Sequence, residues 1–336
     1  MNNKKISQIG ERELIKFFLK KRDKSLNDTD SIIYKSYHDD AALIENTGKY
    51  TVLSSDMLIQ HTHFPHNMTH YQMGEKIVTV NVSDIMADNA ICNSILISMA
   101  LPSSMSLDEF DQLTDGILDK CREYDVKLIG GDINENSEII LSATAVGVVD
   151  DKLKLLSGAK KGDLIAVTGE LGSPAAGLDL IYDDMDISCE VKEKLIKSIL
   201  EPALPMDTFK LLNSYPDMIT SMTDITDGLA LELYTLREKN YNMGFDLNYN
   251  DIPHDKYLGI IAEHNKKSIF DYILHFGEEF ELLMTLDSDK YNEYKEIFTD
   301  KLFIIGKCND SGMITMTIND KKISITPKGY EHLKEL

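Results

Sequence analysis

The spacing of apolar residues divides the chain into alternating strand-like and helix-like segments. "KYTVLSSD", Lys49 to Asp56, reads as a strand ending in polar residues, and "ICNSILISMALP" reads as a second strand stopped by Pro102. Between them "MGEKIVTVNVSDIMADNA" fits two periods: Ile77, Val78, Val80 and Val82 suit a strand, whereas Met73, Ile77, Val80, Asp84 and Asp88 suit a helix. Length favours the helix, on which Asn81, Asp84 and Asp88 fall at i, i+3 and i+7 and make one polar face opposite the valines. A capping box from Ser106 to Glu109 opens a clearer helix carrying Phe110, Leu113, Ile117, Cys121 and Tyr124 at helical spacing. "VKLIGGD" then predicts a short buried strand and "SEIILSATAVGVV" a long one, before "DDKLKLLSGAKKGD" reads as a boundary loop.

Beyond residue 160 the pattern predicts a strand at "LIAVTG", a helix from Pro174, a helix at "EVKEKLIKSIL" and a capped helix at "DITDGLALELYTLREKN". Strands at "MGFDLNY", "FELLMTL", "KLFIIGK" and "MITMTI" complete this half. No fixed-period repeat interrupts either part. The expectation is two lobes of α+β or α/β type, residues 1–150 and 151–336.

A length of 336 residues agrees with two lobes. No apolar run of about 18 residues is present, and the first residues lack an uninterrupted apolar signal core, so neither a membrane span nor a secretory leader is expected. A cytoplasmic location is the expectation. With 35 Lys and Arg against 56 Asp and Glu, the net charge of −21 would repel nucleic acid and anionic membrane surfaces. The four cysteines are scattered without a CxxC, which argues for reduced thiols and against a zinc ribbon or redox pair.

The position of the carboxylates changes the picture more than their number. In "HDDAAL", "SSDML", "NVSDIMAD" and "IGGDIN", one or two Asp follow an apolar run and precede small residues. "TDITDGL" puts Asp224, Thr226 and Asp227 at the start of a predicted helix. Any one of these is explained by ordinary backbone capping. Together, on one sheet edge, they would concentrate negative charge that hard divalent cations relieve, and Mg²⁺ typically shares such carboxylates with substrate phosphates. A nucleotide site is the natural expectation, yet "ENTGKYT" is no Walker A loop, so metal ions would do work that a P-loop lysine does elsewhere. "VTGELGSPAAG" could present backbone N–H groups to a phosphate, although its small residues serve tight helix packing equally well.

The order and wording of these segments resemble the thiamine-monophosphate kinases, in the superfamily that also holds aminoimidazole ribonucleotide synthetase and selenophosphate synthetase. The resemblance runs from "IGERELI" through "HDDAAL", "SSDMLIQHTHF", "VNVSDIMADNA", "MALP", "LIGGD", "SGAKKGDLIAVTGELGSPAAGL", "DITDGL" and "FGEEFEL" to "GYEHL". It implies an N-terminal mixed-sheet lobe that dimerises and a C-terminal α/β lobe. It also implies transfer of a phosphoryl group from ATP to thiamine monophosphate, with several Mg²⁺ ions and a homodimer joined through the N-terminal lobes. By that pattern Asp39, Ser54, Ser55, Asp56, Asp84, Asp132, Asp224 and Asp227 would hold magnesium. Gly131, Asp132 and Thr226 would touch ATP, and His63, Glu278 and Tyr330 would meet thiamine monophosphate. No general base is assigned, because a phosphate monoester with a second pKa of about 6 is already largely a dianion at neutral pH.

The chain departs from the family pattern in places. His38 replaces a Gly before the first Asp pair, Ser54 and Ser55 stand where Thr is common, and "GGDINEN" lacks the Thr and Arg that often follow "GGD". Leu156 occupies the place of a nucleotide-contacting Arg, and Phe276 and Phe280 replace a Gly and a Tyr. His61, His63, His66 and His70 invite a zinc reading, with His61 and His63 on a strand face and His66 and His70 on a helix face. No Cys lies near and no HExxH is present, which argues against a dedicated zinc site. Two other readings remain at this stage: a superfamily enzyme with a different acceptor, and a non-catalytic acidic protein that merely binds cations.

Overall fold

The computed structural model describes residues 32–34, 42–46, 49–183, 185–331 and 333. His38, Asp39 and Asp40 therefore lie outside the described residues. Two sheets organise the chain as an α+β fold. The first joins β1 (Ile32–Tyr34), β2 (Ala42–Asn46), β3 (Lys49–Ile59), β4 (Ile91–Leu101), β5 (Lys127–Glu135) and β6 (Ile140–Val149) in the order β1-β2-β3-β6-β4-β5. Its neighbours are antiparallel except β4 and β5.

One face of this sheet is covered by the helices His70–Ala87 and Leu107–Glu123. Both begin with a capping box, Thr69 with Gln72 and Ser106 with Glu109, so local sequence fixes where each starts. They approach closely because Gly74 and Gly116 carry no side chain: a Cβ on Gly116 would sit 2.0 Å from the Tyr71 carbonyl oxygen. The His70–Ala87 segment resolves its ambiguous period as a helix. It is buried on nearly every side, so its supposed polar face lies inside the molecule. We call it the central helix.

The opposite face of the sheet is bare, with Met57, Leu96 and Val148 exposed. β5, expected to be buried, is exposed along its whole length, because it is the edge strand: no described element pairs beyond it, and the helix Leu107–Glu123 touches it without burying it.

The second sheet contains β7 (Leu164–Val167), β8 (Ile219–Asp224), β9 (Gly244–Asn248), β10 (Leu282–Leu286), β11 (Phe303–Asn309), β12 (Ile314–Ile318) and β13 (Lys321–Ser324), in the order β13-β12-β9-β11-β7-β10-β8. A parallel β9–β12 pair is its exception to antiparallel pairing. Helices Ser173–Tyr182, Cys189–Leu200 and Leu229–Lys239 pack around it. The central helix joins the two sheets: one buried cluster runs from Val52, Ile77 and Ile95 to Met222, Leu282 and Met284.

Three expectations about position change. Ser54 to Asp56 lies within β3, not at its end, because the strand continues through Met57 to Ile59. Asp224 closes β8, and the helix behind it starts only at Leu229, after Gly228 and without a side-chain cap. Gln60 to His63 forms a short helical turn, so His61 and His63 share no strand face; His66 precedes the helix that His70 opens.

Candidate active site

The central helix owes its burial to a sequence that is apolar around most of its circumference, and buried polar groups there must find partners. Asn81 is fully buried and satisfies both ends of its amide: Nδ2 donates to the Ile77 carbonyl at 2.9 Å, and Oδ1 accepts the Asp56 backbone N–H at 3.1 Å. Ser54 of β3 donates its hydroxyl to the Asp84 carboxylate, and Ser83 donates to Asp224 at the end of β8. The helix thus gathers Asp56 from the first sheet and Asp224 from the second beside its own Asp84.

Three carboxyl groups in one buried place repel one another. Burial above all, then the charges of Asp56 and Asp224, hold the Asp84 carboxyl well above the usual carboxylate range. Burial pushes Asp224 up to about 6 against the lowering effect of the Ser83 hydroxyl. Asp56 is also raised by burial, with its hydrogen bond to Asp84 working the other way. Asp56 Oδ2 is buried without a hydrogen-bond partner in the structure. An all-oxygen donor set with one orphaned carboxylate oxygen fits a hard cation better than zinc. Among the described residues, no group of three His, Cys, Asp or Glu side chains is tight enough to enclose a metal by itself. An ion placed here would need further oxygen ligands besides these carboxylates.

A second cluster surrounds the N-terminal half of the same helix. Lys76, 1% exposed, donates from Nζ to the His63 carbonyl at 2.8 Å and forms an ion pair with Glu278. His63 Nδ1 is tied to the Ile59 backbone, 2.9 Å from its amide nitrogen and 3.2 Å from its carbonyl oxygen, which fixes the ring on the turn. Glu278 and Phe280 adopt left-handed backbone angles, φ 64° and 52°, and are held there by hydrogen bonds from their amides to the Thr226 and Ile225 carbonyls. Strained backbone that neighbours over-determine is typical of functional loops. Gly277 permits the fit, since a Cβ there would lie 1.6 Å from the Thr226 oxygen. The half-exposed Tyr330 closes on the same loop, its amide donating to the Asp227 carbonyl at 3.3 Å.

"FGEEFEL" therefore divides its acids among three tasks. Glu278 faces Lys76, Glu279 accepts the Gly172 N–H at 2.6 Å, and Glu281 accepts the Thr168 hydroxyl at 2.5 Å. With a carboxylate already on the Gly172 amide, the glycine turn of "VTGELGSPAAG" serves packing, and its phosphate-binding alternative loses that donor.

The amino-terminal part of the chain, residues 38–149, matches the family model described as AIR synthase related protein, N-terminal domain. Over 329 residues, the chain is 30% identical to Thiamine-monophosphate kinase of Pyrococcus horikoshii, covering 98% of each protein. The chain belongs to the thiamine-monophosphate kinase family. It is an enzyme by that membership. The Thiamine-monophosphate kinase of Pyrococcus abyssi is 32% identical over 301 residues, covering 89% of this chain and 91% of that protein. The fold matches a solved structure of "AaThiL complexed with AMPPCP and TMP" with a TM-score of 0.84 and 25% identity, covering 99% and 100% of the two chains.

In this member of the thiamine-monophosphate kinase family, the residues expected at the site separate into three groups. Ser54, Asp56, Asp84 and Asp224 come together. His63 and Glu278 are joined through Lys76, with Thr226, Asp227 and Tyr330 on the adjoining loops. Ser55 and Asp132 lie on the bare side of the first sheet: Ser55 pairs with Thr144, and Asp132 with Ser98, in rows that alternate with the covered Asp56–Ala143–Ile97 row. Gly131 is on the exposed edge strand beside Asp132. The other three histidines do not converge on a metal: His61 pairs with Glu138 at 2.7 Å, and His66 packs against the Tyr182 ring. Sequence reasoning missed Lys76 and Ser83. The available signal was their spacing: Lys76 and Ser83, seven apart, fall on one face of the predicted helix.

Proposed function

We propose that the protein transfers the γ-phosphoryl group of ATP to the phosphate of thiamine monophosphate, giving thiamine diphosphate, by direct in-line displacement with Mg²⁺. The observation that carries this reading is the placement of two unlike clusters along one rigid helix. Lys76 and Ser83 are seven residues apart, which separates the His63–Glu278 cluster from Asp84 and Asp224 by about 10 Å along the axis. That spacing suits an acceptor held at one end with its phosphate directed toward the other.

The central problem of the reaction is repulsion between two highly charged phosphates, and positioning with charge neutralisation addresses it. Asp56, Asp84, Asp224 and Ser54 would hold magnesium, together with Asp39, Ser55, Asp132 and Asp227 by family pattern; the bound ions neutralise phosphate charge. Ser83 orients the Asp224 carboxylate, and Asn81 fixes the backbone that carries Asp56. His63, held through Nδ1 on the Ile59 backbone, would donate from Nε2 to the acceptor phosphate, while Glu278 and Tyr330 would border the thiamine. Gly131, Asp132 and Thr226 would contact ATP. No side chain is needed to remove a proton from a dianionic acceptor.

The division into residues 1–150 and 151–336 and the homodimer belong to the same proposal. An exposed edge strand with Leu128, Ile129 and Ile133 open to solvent is a ready surface for a second copy. A second copy packed on the adjoining bare sheet face would cover Ser55 and Asp132. Among the described residues no helix is long and apolar enough to cross a membrane, and we place the activity in the cytoplasm, where ATP is supplied.

The test is product formation. Purified protein with ATP, Mg²⁺ and thiamine monophosphate should yield thiamine diphosphate in step with ADP. Slow ATP hydrolysis that ignores thiamine monophosphate would point to another acceptor, and no turnover at all to a cation-binding protein.

A further inference from the structure

Lys76 is the most deeply buried lysine among the described residues, yet it sits in a helix that could bury an apolar side chain at lower cost. Its ammonium has three N–H donors, and the partners found for it come from two other parts of the chain. One is the His63 carbonyl, on the turn that follows β3; the other is the Glu278 carboxylate, on the strained loop before β10. A lysine that only filled space would not join the two segments that border the proposed acceptor pocket. The ion pair also neutralises Glu278, whose bare carboxylate would repel an incoming phosphate dianion.

We infer that Lys76 is a positioning residue for the acceptor: it fixes the His63 turn against the Glu278 loop and so sets the affinity for thiamine monophosphate independently of ATP. This rests on the kinase reading above. Lys76 acts through His63 and Glu278, and the metal-binding carboxylates belong to the other half of the helix.

The experiment is steady-state kinetics on K76M, E278Q and the double variant, each with both substrates varied. K76M should raise the KM for thiamine monophosphate by about tenfold or more and leave that for ATP within about twofold, since only acceptor binding is loosened. The double variant should be no worse than the worse single one, because both substitutions break the same contact. K76R, which restores the charge and its donors, should recover most of the lost affinity. If K76M gives no cooperative melt, K76Q, which keeps an N–H for His63 but leaves Glu278 without its counter-charge, takes its place with the same expected split.

Equal changes in both KM values, or no change in either, overturn the inference, as do fully additive effects of K76M and E278Q. A wild-type protein that makes no thiamine diphosphate overturns the kinase reading itself and takes this inference with it. Wild-type activity with an unaltered K76M removes this inference alone.

Discussion

The two ends of the central helix bury polar groups for opposite electrostatic reasons. Around Ser83 and Asp84, carboxylates from both sheets are gathered with hydroxyl partners and, among the described residues, without an ion-paired cationic side chain, and all three are held above their ordinary titration range. Around Lys76, a single ammonium is matched to a single carboxylate and a carbonyl. On the proposed reading, bound cations complete the first arrangement. The second is already neutral. The comparison teaches that one helix can separate a cluster of mutually repelling carboxylates from an ion-paired cluster simply by which residues it presents two turns apart.

The largest expected effect comes from breaking the carboxylate end. Asp84→Asn should lower kcat by at least about a hundredfold, comparable to removal of a preorganised electrostatic group in other active sites. Full activity in this variant, measured at saturating Mg²⁺, would show that the carboxylate cluster is not where the phosphates are held. Breaking the other end is milder and selective. His63→Ala should raise the KM for thiamine monophosphate by about tenfold and that for ATP much less, because one charge-assisted hydrogen bond to the acceptor is lost; parallel increases would assign His63 no specific part in acceptor binding.

Glu281 sharpens the comparison from outside both ends, as a largely but not fully buried carboxylate raised to about 7 mainly by desolvation. Its folded pKa lies above its unfolded value, so the folded state binds the proton more tightly. Glu281 therefore costs no stability below about pH 4.5, and its penalty grows as the pH rises toward 7. Glu281→Gln keeps an acceptor for the Thr168 hydroxyl without the charge. It should raise the melting temperature by a few °C at pH 8 and leave it nearly unchanged near pH 4.5. A gain that is the same at both pH values would mean that charge burial is not the cause.

Much of this arrangement was legible in the chain. The Ser106–Glu109 capping box marks a true helix start, and the length of the Met73–Ala87 segment correctly outweighed its strand-like valines. The candidate residues Ser54, Asp56, Asp84 and Asp224 do meet. What escaped was context that depends on tertiary neighbours. "VKLIGGD" has the apolar run of a buried strand, but burial is decided by whether another element lies beyond it, and β5 is an edge. "DITDGL" looks like a helix cap because Asp and Thr favour such positions, whereas pairing with β10 draws Asp224 into a strand. Lys76 in "MGEKIV" reads as a solvated lysine until Glu278, 202 residues later in the chain, is folded against it.

The most direct test of the two-ended account uses Mg²⁺ and thermal melting without nucleotide, on wild type, Asp84→Asn and Lys76→Met. A ligand that binds only the folded state raises its melting temperature. The account predicts that Mg²⁺ stabilises wild type and Lys76→Met by similar amounts at neutral pH and leaves Asp84→Asn unmoved. An equal Mg²⁺ shift in Asp84→Asn, or a shift lost in Lys76→Met, would contradict it.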